Sequence, residues 1–345
     1  MLIISNEKLA EILNDFNIHL EIVSISELQR SQYEEDDPTS KEVRLIVKAE
    51  LENGNSVVVR FKNEQDVTLE TVKAQSEFAK LLKDYGIETP ALFSSNQEYA
   101  RMYTIGDYEV IVTVEAFVTG EIRVVTEEIA EKTGALLARM HNIAEATAFH
   151  VQNNIIFDPL GPNDLFCFQD FQEKKDFMLS VDASLYKEIV EQHDRLLQMI
   201  RAFEKQPKYA VQGDISNCNL YQTPDGTVGI FDFNLCGDAV LYYDAIMQSV
   251  FEARLMDYPE EIDGRQEELI LSAFLRGYHQ ERPFTDGQKE VFHCLYAVIS
   301  AFWVSDIRYG SNSLWDAVEA QDSEAVRQWM EKIRSRLNNF PNINY

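Results

Sequence analysis

The stretch VRLIVKAELENGNSVVVRF, residues 43–61, constrains the fold more than any other part of the chain. Two runs rich in β-branched residues flank Asn53-Gly54-Asn55, and an Asn-Gly turn between such runs is a strong short-range hairpin signal. A second hairpin follows in YARMYTIGDYEVIVTVEAF (99–117), turning at Gly106-Asp107. Between the two, 68–85 puts Ala74, Phe78, Leu81, Leu82 and Tyr85 on one helical stripe, with Gly86 as its stop. A short helix and a strand at 18–26 come first. The opening third therefore predicts a β-rich unit holding one main helix.

After Val118-Thr119-Gly120-Glu121 the apolar period becomes helical. Thr126 reads as an N-cap, Glu127 and Glu128 occupy the favourable first turn, and Ile129, Leu136, Leu137, Met140 and Ile143 face inward. Helical patterns recur near 165–180, 183–204, 264–280, 286–308 and 323–337. One β-rich stretch, 209–234, interrupts them. The order predicts an α+β chain in two units, 1–117 and 118–345, joined near Glu115–Gly120.

Composition narrows the function classes. The 345 residues carry a formal net charge of −27, which opposes binding to nucleic acid, because that affinity comes from cationic phosphate contacts. The same charge suits a cationic small substrate. No apolar run reaches the roughly 18–20 residues of a membrane span, and the N-terminus lacks the pattern of a signal peptide. Cys167, Cys218, Cys236 and Cys294 show no paired spacing, so a reducing cytoplasm is expected, and Cys218 and Cys236, near the 211–221 motif, read as small buried side chains in preference to redox sensors. Oligomeric state is not legible.

The chemistry concentrates in VQGDISNCNLY (211–221) and the IFDFN that follows. Phosphoryl transfer needs positioning and charge neutralisation more than covalent catalysis. Asp214 suits the group that orients or deprotonates an acceptor hydroxyl. Asn219 offers an amide oxygen from the far end of the same loop, and Asp232 a carboxylate from an adjoining strand. Magnesium accepts such a short set together with phosphates and water.

QGDISNCN…IFDF resembles the H-G-D-x-x-x-x-N…[IV]-D-[FW] motif of the aminoglycoside phosphotransferase family, which includes choline and homoserine kinases. LLARMHNI (136–143), the Asp232–Asp244 spacing and SAFLRGYHQERPFT (272–285) are similar to further family segments in the same order. The resemblance implies a protein-kinase-like two-lobed fold: a small β-rich N-lobe with one main helix and a larger helical C-lobe. It implies an ATP- or GTP-dependent, magnesium-dependent kinase acting on a small-molecule hydroxyl. Asp214 would be the base, and Asn219 and Asp232 the metal ligands. Arg60 would stand in the place of the strand lysine that touches the phosphates and form a phosphate clamp with Glu77 from the helix, and Glu115 and Phe117 would lie at the hinge that meets the purine. His141 and His193 read as packed core histidines, and Trp303 as helix core.

Three positions depart from the family pattern. Gln212 replaces the motif's His, with donor and acceptor capacity retained. Arg60 replaces lysine. The loop at 29–42 has no glycine and carries Glu34, Glu35, Asp36 and Asp37, which would repel a triphosphate unless directed outward. These departures leave a catalytically silent kinase-fold binding module as the alternative. The acceptor is unspecified; Glu252, Asp257, Glu260, Glu261, Asp263 and Asp306 could attract a cation, although surface solvation explains most of them.

Overall fold

The computed structural model describes residues 1–32, 40–153, 158–161, 167–254 and 264–339. The acids at 34–37, and Asp257, Glu260, Glu261 and Asp263, lie outside the described residues.

Helix α1 (Asn6–Asp15) precedes the strands β1 (Ile22–Gln32), β2 (Val43–Leu51) and β3 (Ser56–Asn63). Helix α2 (Leu69–Asp84) follows, then β4 (Ala100–Ile105) and β5 (Tyr108–Ala116). The strands form one antiparallel sheet in the order β1-β2-β3-β5-β4.

Because side chains alternate along a strand, the sheet has two different faces. Val43, Leu45, Val47, Val57, Val59, Phe61, Val110, Val112 and Val114 pack with Leu9, Ile12 and Leu13 of α1 into an N-lobe core. The register sets Ile46 opposite Arg60 and Arg60 opposite Thr113; Lys48 lies opposite Val58 and Val58 opposite Glu115. Directly paired residues share a face, so Lys48, Arg60, Lys62, Thr113 and Glu115 all point away from α1, toward α2 and the second lobe. α2 covers part of this face through Val72 against Ala100 and Ile111. Its Phe78 and Leu82 join the main core of the C-lobe.

The C-lobe opens with α3 (Glu127–Thr147), capped by Thr126, which accepts from the Ile129 N–H. α4 (Phe168–Glu173) and α5 (Lys175–Ile200) follow. Asp182 breaks α5 with φ −155° and caps the second half by accepting from the Ser184 and Leu185 N–H groups. β6 (Lys208–Val211) pairs with β9 (Gly237–Val240), and β7 (Leu220–Gln222) with β8 (Val228–Ile230). Helices α6 (Leu241–Arg254), α7 (Gly264–Glu281), α8 (Asp286–Ala301), α9 (Leu314–Glu319) and α10 (Ser323–Asn338) complete the lobe. α3 and α7 cross backbone to backbone: a Cβ on Gly134 would sit 1.9 Å from the Phe274 carbonyl oxygen, and one on Gly277 1.9 Å from that of Glu131.

The helix anticipated at 286–308 ends at Ala301, and Ser305–Tyr309 forms a single π-turn. Three cysteines are buried, while Cys218 is exposed in the motif loop, contrary to its expected burial. Among the described residues no helix is long and apolar enough to cross a membrane.

Candidate active site

The motif loop runs from the end of β6 to the start of β7, and its shape is held by its own polar side chains. Gly213 has φ +84°, and a Cβ there would lie 2.6 Å from the Leu235 carbonyl oxygen. Only glycine combines that backbone with that approach. Gln212 is fully buried. Its Nε2 donates to the Asp232 carbonyl oxygen at 2.6 Å, and its Oε1 accepts from the Asp214 N–H at 2.7 Å. One amide thus ties together the backbones of the two aspartates. Asn219 Nδ2 donates to both Oδ2 and the carbonyl oxygen of Asp214, each at 2.9 Å.

The structure therefore brings Asp214, Asn219 and Asp232 together. Burial pushes the Asp214 carboxyl above the ordinary carboxylate range; the Asn219 bond pulls it down, and the Asp232 charge adds to the rise. Asp232 is held at φ +59°, a left-handed conformation uncommon for a residue with a side chain. Its Oδ1 accepts from the Asn234 N–H at 3.2 Å.

Behind this loop lies a polar chain buried in the C-lobe. Gln248 of α6 accepts from the Ile215 N–H at 2.8 Å and donates to Asp244 Oδ1 at 3.0 Å. Asp244 Oδ2 lies 2.9 Å from His141 Nε2, and His141 Nδ1 lies 2.8 Å from the Tyr278 hydroxyl. Donation from Tyr278 to a neutral His141, and from His141 to Asp244, satisfies every member. Burial holds the His141 pKa below its ordinary value, consistent with the neutral ring. His141 is thus a core residue that also buttresses the loop, while His193 packs flat on Phe168 with ring centroids 3.6 Å apart. Trp303 is buried core.

The N-lobe side differs from expectation. Arg60 is nearly buried, as expected of a clamp, but its partner is Glu115: Nη1 bonds to Glu115 Oε1, and Nη2 lies 4.0 Å from Asp232 Oδ2. Glu77 is exposed and does not pair with Arg60. The buried stripe of α2 runs through Val72, Gln75, Ser76, Phe78, Ala79 and Leu82, rotated from the one read in the sequence. Polar Gln75 sits in it because its Nε2 donates to the carbonyl oxygens of Asn234 and Cys236, at 2.9 and 3.1 Å.

Lys62 is a site residue that the sequence reading missed. It follows Arg60 by two, so it shares the strand face, and its Nζ bonds to Asn234 Oδ1. Burial lowers its pKa to about 8, partly offset by the Asp232 charge. The signal was the strand period itself. Phe117 lies under the Lys48 ammonium, 4.6 Å from the ring centre. The Ala116 and Phe117 N–H groups are spent on the carbonyl oxygens of Ala91 and Ser56.

The donor set fits a divalent cation with phosphates. Asn219 spends its Nδ2 on Asp214, which leaves Oδ1 as the group able to face a cation, beside the Asp232 carboxylate; oxygen ligands suit a hard metal. Among the described residues no group of three or more His, Cys, Asp or Glu side chains could hold a metal ion. Nearby, among the described residues, the buried Arg60 Nε of the N-lobe and Asn234 Nδ2 of the C-lobe have no hydrogen-bond partner. Both are donors, and donors fit an anion.

A search of curated protein sequences found no significant match. Solved structures share the fold at low identity. A microcompartment-associated aminopropanol kinase is 14% identical with a TM-score of 0.60, covering 95% of this chain and 96% of its own. Amicoumacin kinase is 13% identical with a TM-score of 0.56, covering 97% and 95%. An aminoglycoside phosphotransferase from Alicyclobacillus acidocaldarius subsp. acidocaldarius is 12% identical with a TM-score of 0.54, covering 92% and 94%. Residues 44–284, more than half of the chain, match the model of the phosphotransferase enzyme family, and the protein belongs to that family.

Proposed function

We propose that this protein transfers a phosphoryl group from ATP or GTP to a hydroxyl of a small amine-bearing molecule, with magnesium as the metal. The observation that carries the reading is the bridge through Gln212, which holds Asp214 and Asp232 in one place while Asn219 is bonded to Asp214. A silent scaffold has no chemical need for that arrangement.

Asp214 accepts the hydroxyl proton of the acceptor and aims its oxygen; a carboxyl raised by burial is the stronger base at neutral pH. Asn219 and Asp232 would hold magnesium, which when bound neutralises charge on the transferring group. Arg60, fastened by Glu115, keeps a fixed positive charge within 4.0 Å of Asp232. The carbonyl oxygens around Glu115–Phe117 meet the purine edge. Residues 1–117 would then form the nucleotide lobe and 118–345 the catalytic and acceptor lobe. The amine-bearing class is suggested by the net charge of −27 and by structural neighbours described as kinases of aminopropanol and amicoumacin.

Acceptor-dependent ADP or GDP release across amino alcohols, aminoglycosides and matched neutral alcohols tests this reading. Turnover with amine-bearing acceptors supports it. Failure of every acceptor, with no thermal shift from Mg-ATP or Mg-GTP, would leave a silent module.

A further inference from the structure

We propose that Lys62 and Asn234 hold the phosphates of the bound nucleotide, the role that the family resemblance implies for Arg60 with Glu77. This rests on the phosphotransferase reading above and adds to it two residues outside the motif's own letters.

Consider first which cation is free to meet an anion. Arg60 is committed: Glu115 takes its Nη1, and Asp232 stands beside its Nη2. Lys62 is only 4% exposed, and among the described residues no carboxylate lies within ion-pair distance of it. Its partner is the neutral Oδ1 of Asn234. An ammonium taken out of water without a paired anion is costly. An anion entering the cleft relieves that cost at Lys62 more than at Arg60.

Beside the open carboxylate of Asp232, the buried side-chain atoms left unpaired in this corner are donors: among the described residues Asn234 Nδ2 and Arg60 Nε have no hydrogen-bond partner. Three carbonyl oxygens of the same turn already accept from side-chain amides. Gln75 caps the carbonyl oxygens of Asn234 and Cys236, and Gln212 caps that of Asp232. Lone unsatisfied donors in a native structure call for an explanation. Three oxygen-seeking groups from β3 and from the turn after Asp232 match a group with several anionic oxygens. The same placement puts that group next to the proposed metal ligand Asp232. Nucleotide phosphates have both properties.

Asn234 orients the ammonium through Oδ1 and donates to phosphate through Nδ2. A carboxylate at this position would instead neutralise Lys62 and remove the donor. That difference provides the test. Equilibrium binding of Mg-ATP and of adenosine would be measured by calorimetry for wild type, Lys62→Met, Asn234→Ala and Asn234→Asp, with thermal unfolding of each variant. Removing one charge-assisted contact of this kind weakens Mg-ATP by about ten- to hundredfold, and adenosine binding is unchanged. Asn234→Asp weakens Mg-ATP while raising the melting temperature, through its new pair with Lys62. Asn234→Ala keeps the test decisive if Lys62→Met does not fold. Mg-ATP affinity at the wild-type level in the Lys62 and Asn234→Ala variants would overturn the proposal. So would tighter Mg-ATP binding by Asn234→Asp, which would make residue 234 a metal position. If wild type does not bind Mg-ATP, the same series is run with Mg-GTP and guanosine; wild-type protein that binds neither nucleotide would overturn the phosphotransferase reading along with the proposal.

Discussion

The side-chain amide of Gln212 donates to the carbonyl oxygen of Asp232 at 2.6 Å while accepting from the backbone of Asp214 at 2.7 Å. The position at which the chain departs from the motif is thus the joint between its two aspartates. An amide performs both tasks in one protonation state at every ordinary pH. A histidine performs both only while neutral, since both ring nitrogens of the cation are donors.

Gln212→His should accordingly retain turnover near the wild-type level at pH 8 and lose it as the pH falls through the titration of the new imidazole. Gln212→Leu leaves a buried N–H and a buried carbonyl unpaired, each worth about 1–3 kcal/mol, and should lower kcat at all pH values. Turnover of the two variants against pH is the measurement. A flat Gln212→His profile would show that the bridge does not position the site.

The partner of Arg60 is testable by stability. Glu115→Ala leaves a nearly buried guanidinium facing only the more distant Asp232, and should destabilise the fold by about 3 kcal/mol in urea unfolding. Glu77→Ala, at an exposed position, should stay within about 0.5 kcal/mol of wild type. The opposite ranking would restore the pairing expected from sequence.

Those two glutamates also show what the sequence could convey. The pairing of Asp214 with Asn219 was legible because its bonds close within one loop, where residue type and spacing nearly determine the geometry. Glu77 was misplaced because the buried stripe of α2 includes Gln75 and Ser76. Their burial depends on partners that periodicity cannot see: two distant carbonyl oxygens for Gln75, and Val72 of the same helix for Ser76. α6 gave no helical signal because every residue from Leu241 to Ala253 is buried, so no polar face marks its period. The break between helical patterns near 180–183 was legible and coincides with Asp182, whose carboxylate caps the second half of α5.

Glu252 gives a stability-versus-pH prediction. It lies one helical turn beyond Gln248, fully buried, and among the described residues neither carboxyl oxygen has a hydrogen-bond partner. Thr133 is beside it but spends its hydroxyl on the Ile129 carbonyl oxygen. Burial raises its pKa well above the ordinary 4.5. The folded state therefore holds a proton that the unfolded state releases, and stability falls as pH rises from 4.5 toward the raised value. Glu252→Gln should match wild type near pH 4.5 and be the more stable at pH 8, in denaturant melts at both. Equal pH dependence in the two proteins would contradict the neutral acid. Of the other acids considered as cation sites, Asp306 is engaged by Lys332 and Arg336.

The buried chain behind the loop should affect rate more than binding. Gln248→Leu strands the Ile215 N–H next to Asp214 and should lower kcat about tenfold, with nucleotide affinity intact. A loss confined to KM would place the effect elsewhere.

On the proposed function, Asp214 and Asp232 perform phosphoryl transfer in one site. This central claim is tested most directly by single-turnover transfer from Mg-ATP to an accepted substrate in Asp214→Asn and Asp232→Asn. Transfer should fall by roughly 100-fold or more in Asp214→Asn, the range of a lost general base, with Mg-ATP binding retained. In Asp232→Asn, transfer and metal-dependent nucleotide binding should fall together. Wild-type transfer in both variants would contradict the account.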